Sequence, residues 1–157
     1  MKQLRRSVLA LVVLPMFVVG CVSTPSRSPV AIGVRMDDGV VRVILPNCPG
    51  ETFAEAIVTP IDADEELPQA WSAVGLEVDS DGPVELSRSD WTSVAGSYDG
   101  LTWFGVELRG SKRLAGTVID ELQEIQSLPE GIFHVDGQWN MTLAEYREHL
   151  QESAPCP

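Results

Sequence analysis

Short runs of alternating apolar and polar residues are the most regular feature of this chain. Residues 31–36 and residues 40–45 both have this pattern, and the turn signal Asp37-Asp38-Gly39 separates them. An Asp-Gly pair between two such runs favours a tight β-turn. The segment therefore predicts a β-hairpin at the start of the folded part of the chain.

Further runs of the same kind follow at near-regular spacing. They cover residues 52–59, 70–78, 101–108 and 113–119. Polar turn clusters, several of them acidic, lie between the runs. Many short strands joined by turns are typical of a sandwich of two sheets. Trp71 and Trp103 lie inside these runs, and we expect both in the core.

The C-terminal part has the pattern of a capped helix. Thr142-Leu-Ala-Glu145 matches a capping box, in which the threonine hydroxyl accepts from the Glu145 amide and the glutamate reaches back. Met141 and Tyr146 have the spacing of a hydrophobic staple across that cap, and Leu150 continues the apolar stripe. We therefore expect one short terminal helix that packs on the sandwich.

A short segment before this helix resembles part of a known sandwich fold. Residues 128–135 read LPEGIFHV, which resembles the proline-glycine turn that enters a late strand of immunoglobulin-like and fibronectin type III domains. Phe133 takes the place of the aromatic residue in that likeness. Residues 120–127 have apolar positions at helical spacing and predict one helical turn. The expected fold is an all-β, immunoglobulin-like antiparallel β-sandwich with one short C-terminal α-helix.

The charge balance limits the partners of the protein. The 157 residues suit one globular domain, and 11 Lys+Arg against 23 Asp+Glu give a net charge of -12. A chain of this charge repels a phosphate backbone. Nucleic acid is therefore not expected as a partner.

The N-terminal block has the composition of an export signal. Residues 2–6 supply three positive charges, and residues 8–19 are almost wholly apolar. Twelve apolar residues in a helix span about 18 Å, which is short of a hydrocarbon core of about 30 Å. The run ends in Val18-Val19-Gly20-Cys21, which resembles the lipobox of bacterial lipoprotein precursors.

This resemblance implies that residues 1–20 are removed and that the Cys21 thiol receives a diacylglyceryl group, with the new amino terminus also open to acylation. Residues 21–29 would form a flexible tether and residues 30–157 the folded domain. The body resembles uncharacterised small β-sandwich lipoproteins of Gram-positive bacteria, a likeness that implies no activity. The expected location is the extracytoplasmic face of the cell membrane. An ordinary secreted precursor with a coincidental cysteine is the alternative.

Two further cysteines, Cys48 and Cys156, leave a single pairing once Cys21 carries lipid. Disulfides persist in an oxidising exterior, and closing so long a loop restricts the unfolded chain. A reactive cysteine needs a lowered thiol pKa, yet neither cysteine has a cation close in sequence. We therefore expect a Cys48–Cys156 disulfide.

One acidic loop has a partial calcium-binding pattern. Glu77, Asp79 and Asp81 occupy alternate positions as in an EF-hand loop, but Arg88 stands where the closing glutamate is required. These three acids are weak metal candidates, and a solvated hairpin turn is the favoured interpretation. No cofactor is expected.

Two tryptophans are candidates for surface recognition. Trp91 and Trp139 follow polar stretches, and tryptophan is enriched where proteins bind partners. No assembled catalytic motif is recognisable, so the expected function is a non-catalytic binding module for a protein, peptide or cell-wall ligand. The alternatives are a surface hydrolase or weak divalent-metal-dependent protein that uses the acidic loops, with His134 as a further group, and a structural lipoprotein that maintains the envelope.

Overall fold

The computed structural model describes residues 29–46, 48–61, 69–78 and 81–156. The strands in these ranges are β1 (Val30–Ala31), β2 (Gly33–Asp37), β3 (Val40–Ile44), β4 (Phe53–Pro60), β5 (Trp71–Leu76), β6 (Pro83–Glu85), β7 (Trp91–Gly96), β8 (Phe104–Gly110), β9 (Leu114–Ile119), β10 (Ile132–Val135) and β11 (Trp139–Thr142). The helices are α1 (Leu122–Gln126) and α2 (Leu143–Ser153).

The strands form two sheets that pack as a sandwich. One sheet has six strands in the order β1-β9-β8-β4-β5-β7, and the other has five in the order β11-β10-β2-β3-β6. The stretch β9-β8-β4-β5 follows the G-F-C-C′ order of an immunoglobulin variable-type sheet. The predicted all-β sandwich with a C-terminal helix is confirmed. The structure differs from the predicted antiparallel sandwich in one detail. Strand β1 pairs with β9 in parallel, so the arrangement is not wholly antiparallel.

The first hairpin forms where the sequence predicts it. Asp37 of β2 pairs with Val40 of β3, so only two residues form the loop. Asp38 and Gly39 have φ values of 51° and 81°. Two consecutive positive φ angles are the requirement of a type I′ turn, whose twist matches that of the flanking strands.

An aromatic cluster fills one end of the core between the sheets. The rings of Trp71 and Trp91 meet edge to face at 6.4 Å, and Tyr98 lies 5.8 Å from Trp71. The Tyr98 hydroxyl donates to the Leu86 carbonyl at 2.7 Å and accepts from the Val41 amide at 3.3 Å. These bonds satisfy the partly buried phenol at the edge of the core and tie the loop after β6 to β3.

The sequence-based predictions for Trp91 and Trp103 are wrong. Trp91 is only 3% exposed, so it cannot lie on a recognition surface; its indole Nε1 donates to the Glu85 carbonyl at 2.9 Å. The polar residues before it form a loop in which the Glu85 amide donates to Asp90, and this loop directs Trp91 inward. Trp103, expected in the core, is 44% exposed because it precedes β8. Trp71 is buried as expected.

A second apolar cluster lies outside the sandwich, between the five-stranded sheet and α2. It contains the buried side chains of Ile44, Phe133, Val135 and Tyr146. Phe133 therefore lies under the helix and not between the two sheets. The Tyr146 hydroxyl donates to the Ala31 carbonyl at 2.8 Å, which joins α2 to β1.

Both helices agree with their sequence signals. The capping box is complete: Thr142 Oγ1 accepts from the Glu145 amide at 3.2 Å, and Glu145 accepts from the Thr142 amide at 2.8 Å. The predicted single turn in residues 120–127 is α1, which buries Ile125 in the main core.

Candidate functional site

A groove of about 540 Å³ lies on the outer face of the six-stranded sheet. Strands β4, β8 and β9 form its floor, Pro29 lies before β1 at its side, and the β10–β11 turn contributes Asp136 and Gly137. It combines an exposed sheet face with residues from a separate hairpin. We take it as the candidate binding site.

The floor of the groove is open because two of its outward positions are glycines. A Cβ atom on Gly116 would lie 2.6 Å from the Val106 carbonyl oxygen, so close packing requires this glycine. A Cβ atom on Gly105 would lie no closer than 3.7 Å to the nearest atom, Ile61 Cδ1. Packing therefore does not require a glycine at position 105. The hollow above Gly105 is open space on the sheet surface and not the result of a close contact.

Among its described lining residues, the groove has one large exposed apolar side chain and several carboxylates. Val118 is 52% exposed at the open floor. Glu107, Asp120 and Asp136 also line it, and none of the described lining residues is lysine or arginine. Glu107 accepts from Arg109 Nε at 2.7 Å, which offsets part of its charge. The remaining carboxylates favour a ligand that brings positive charge to an apolar, extended surface.

The sequence-predicted metal candidates do not assemble in the described ranges. Glu77 accepts from the Thr92 hydroxyl at 2.9 Å, and the Asp81 carbonyl accepts from Arg147. Asp79 lies outside the described residues. Within the part of the chain that the structure describes, no group of three or more His, Cys, Asp or Glu residues is placed to hold a metal ion.

Trp139 is the surface tryptophan of the predicted pair. It is 43% exposed, and its ring lies 5.4 Å from the ring of His149 on α2. Trp91 lies in the main core between the two sheets. The fold therefore does not bring Trp91 and Trp139 together. Trp139 therefore covers the edge of α2 and stands without Trp91 as a recognition candidate.

The hydrolase alternative rests on acidic loops and His134, and the described groups of this kind have structural partners. Asp37 accepts from Arg35 Nε at 2.9 Å, and this bond, with Arg42 nearby, lowers the pKa of the Asp37 carboxyl. His134 Nδ1 lies 3.0 Å from the Asn140 side-chain oxygen, and its Nε2 lies 3.5 Å from Glu124. The acidic residues 62–66 lie outside the described ranges.

The predicted disulfide is present, and its surroundings hold an unexpected cation. Cys48 and Cys156 are bonded, with their Cα atoms 5.6 Å apart. Arg113 places its Nη2 2.7 Å from Cys48 Sγ and its Nε 3.0 Å from Glu51 Oε2. Sequence reasoning missed this cation because 65 residues separate it from Cys48, and only the tertiary fold brings the two together.

The Glu51 carboxylate beside this cation is buried. It lies at ion-pair distance from Arg113, but neither of its oxygens is aligned for a hydrogen bond. Burial raises the pKa of Glu51, against the opposing charges of Arg113 and Lys112. A buried carboxylate with so little hydrogen bonding is costly unless its charge is compensated, so Glu51 and Arg113 depend on each other.

The anchor residues cannot be placed, because Cys21 and the lipobox lie outside the described residues. None of the helices in the described ranges has the length and hydropathy of a membrane span. Comparison with protein-family models, with curated proteins and with solved structures finds no match to this chain.

Proposed function

We propose that the protein is a non-catalytic interaction module, anchored by lipid on Cys21 at the extracytoplasmic face of a membrane, that binds a cationic, extended segment of a partner protein. The observation that carries the binding part is the groove with its open position at Gly105, its exposed Val118 and its carboxylates. The lipobox resemblance carries the anchoring part.

The shape of the groove favours an extended segment. A peptide backbone needs close access to a sheet surface, and the missing side chains at Gly105 and Gly116 provide it along neighbouring strands. Val118 offers apolar contact on the same floor.

The charge of the groove favours a cationic segment. Asp120 and Asp136 lie on different elements, one after β9 and one in the β10–β11 turn, so a bound segment would pass between carboxylates. Complementary charge increases the rate of encounter and selects against acidic segments. The overall charge of -12 acts in the same direction at long range.

Lipid would hold this module at the membrane surface. Each buried methylene contributes about 0.8 kcal/mol, so two or more long chains retain a protein that a single chain would release. The Cys21→Ser precursor is expected to remain uncleaved and to take up no fatty-acid label in bacterial cells. A Cys48→Ser precursor is the matched control and should keep the label. Normal labelling of Cys21→Ser would overturn the anchor.

The binding part is tested by NMR on the lipid-free chain from residue 22 onward. The probe is an octapeptide of alternating lysine and alanine, compared with the same peptide carrying glutamate in place of lysine. The lysine peptide is expected to shift the amide signals of Gly105, Gly116 and Gly137, and the glutamate peptide is not. Shifts spread over all acidic loops, or none in the groove, would contradict the proposed site.

A further inference from the structure

The two sulfurs of the disulfide differ in access. Cys48 is 5% exposed, whereas Cys156 is exposed after the end of α2. A cavity of about 250 Å³ borders both cysteines and Arg113. An incoming thiol can therefore approach Cys156 from solvent, while Cys48 stays inside the protein.

The buried sulfur has a fixed environment. Cys48, Pro49, Gly50 and Glu51 form a tight turn in which the Glu51 amide donates to the Cys48 carbonyl at 2.9 Å and Gly50 has a φ of 68°. Lys112 Nζ donates to the Pro49 carbonyl at 2.8 Å and holds the turn against the β8–β9 connection. Arg113, the next residue, is thereby held with its guanidinium on Cys48 Sγ.

A cation in this position changes the chemistry of the bond. A disulfide is broken faster when the departing sulfur is a stable thiolate, and a neighbouring arginine stabilises a thiolate. The guanidinium touches Cys48, which is the sulfur that would depart if Cys156 were attacked. The exposure of Cys156 and the cation beside Cys48 therefore both favour attack on Cys156 and departure of Cys48.

We propose that the Cys48–Cys156 disulfide is a site of thiol–disulfide exchange, at which an external dithiol attacks the exposed Cys156 and Arg113 receives the departing Cys48 thiolate. This function is separate from binding in the groove, which lies on the outer face of the six-stranded sheet.

The exchange has two steps. A thiolate of the dithiol bonds to Cys156 Sγ, the Cys48–Cys156 bond breaks, and its electron pair stays on Cys48 Sγ. The second thiolate of the dithiol then attacks the external sulfur of the mixed disulfide, which forms the oxidised dithiol and releases Cys156. Two electrons pass to the protein; of the two protons lost by the dithiol, one reaches Cys156 and the other is taken up by Glu51 or by water.

Glu51 is placed to respond to the new charge. Before cleavage the Arg113 guanidinium balances one anion, and after cleavage it faces both Glu51 and the Cys48 thiolate. The raised pKa of the buried Glu51 carboxyl favours its protonation at that moment. Other charges near the cavity are Lys112, which bonds to the Cys48 turn from the β8–β9 connection, and Arg147 and Asp81 on the cavity wall.

The experiment follows reduction of the oxidised full-length protein by dithiothreitol at pH 7, with free thiols counted after acid quenching by the gel shift of a polymer-linked maleimide. The double variant Arg113→Gln/Glu51→Gln removes both charges of the pair, and its reduction is expected to be about fivefold slower. Glu51→Gln alone leaves Arg113 uncompensated, and its reduction is expected to be several-fold faster than that of the wild type. Arg109→Gln, which removes an exposed arginine from β8, is the matched control and should react at the wild-type rate.

A second readout identifies the sulfur that is attacked. Incubation with the monothiol glutathione, followed by mass spectrometry, is expected to find the mixed disulfide on Cys156. Circular dichroism in the same mixtures is expected to show that the wild type stays folded while it is reduced. Equal rates for the wild type and both variants, a mixed disulfide on Cys48, or reduction only as fast as unfolding would each overturn the proposal. If the double variant does not fold, Glu51→Gln and the mixed-disulfide position decide the question.

Discussion

The outer faces of the two sheets differ sharply in how they are covered. On the five-stranded sheet, α2 packs over Phe133 and Val135, and an ionic network continues along the face, with Arg42 Nη2 2.7 Å from Glu85 Oε1. On the six-stranded sheet the outer face carries the groove, with exposed Val118 at its floor. Both helices make their principal contacts with strands of the five-stranded sheet.

This difference distinguishes a packed face from an open one. The close approach of Gly33 to Ile44, where a Cβ atom would lie 2.5 Å from the isoleucine, shows a face packed to its limit. Gly105 has no such neighbour. We therefore place the proposed binding surface at the open position of Gly105. The exposed Trp139 contacts His149 of the covered face instead.

The largest effect is expected from removing the aromatic side chain that joins α2 to its sheet. Tyr146→Ala should lower the free energy of unfolding by about 3–5 kcal/mol, because it leaves a cavity in a fully buried site. Tyr146→Phe is the control and should lose about 1 kcal/mol, the contribution of the hydrogen bond to Ala31. Urea denaturation of the oxidised protein measures both. A loss below about 1 kcal/mol for Tyr146→Ala would show that α2 is not part of the covered face.

The two groove glycines should respond differently to the same change. Gly116→Ala brings a Cβ atom against a backbone carbonyl that cannot move aside, and it should cost about 1–3 kcal/mol of unfolding free energy. Gly105→Ala has room for its Cβ atom and should be neutral or stabilising by about 0.5 kcal/mol. Thermal unfolding of the two variants side by side tests this contrast. Equal losses would mean that packing, and not an open surface, explains Gly105.

Removing the helix cap should have a moderate effect. Thr142→Ala leaves the Glu145 amide without its acceptor and should reduce stability by about 1 kcal/mol. Thr142→Ser keeps the hydroxyl and should stay close to the wild type. Urea denaturation distinguishes them, and an unchanged midpoint for Thr142→Ala would contradict a stabilising role of the cap.

The smallest effect is expected in the ionic network of the covered face. Arg35 lowers the pKa of Asp37 in the folded state, so the ionised carboxylate stabilises the fold above the unfolded pKa of about 3.9. This contribution is lost as the pH falls through the lower, folded pKa. Asp37→Asn should therefore lose less stability than the wild type between about pH 4 and pH 2, by at most about 1 kcal/mol. Denaturation curves at several pH values measure the difference, and parallel curves would count against the ion pair.

The elements with local signals could be predicted from the sequence. The Asp38-Gly39 turn, the Thr142 capping box and the single cysteine pair each depend on a few neighbouring residues or on a simple count, and each is found in the structure. Local geometry decides the turn and the capping box, whereas the disulfide joins residues 108 apart and could be predicted because only one pairing remained.

The features that depend on distant neighbours could not be predicted. The polar stretch before Trp91 suggested exposure, but its groups bond to one another and the indole reaches the Glu85 carbonyl. The contact of Arg113 with Cys48 arises only when the β8–β9 connection meets the Cys48 turn. The groove likewise needs a turn from the other sheet beside β9. Periodicity identifies a strand but does not show which strands become its neighbours.

The most direct measurement for the account is the affinity of the lysine-alanine octapeptide for two variants of the six-stranded sheet, measured by calorimetry at low salt. Gly105→Leu fills the groove, whereas Ser93→Leu adds the same side chain on β7 at the far edge of the sheet. We expect Gly105→Leu to weaken binding at least about tenfold, or about 1.4 kcal/mol, and Ser93→Leu to bind as the wild type does. Equal affinity of both variants, with both folded, would contradict the claim that the open face is the binding surface.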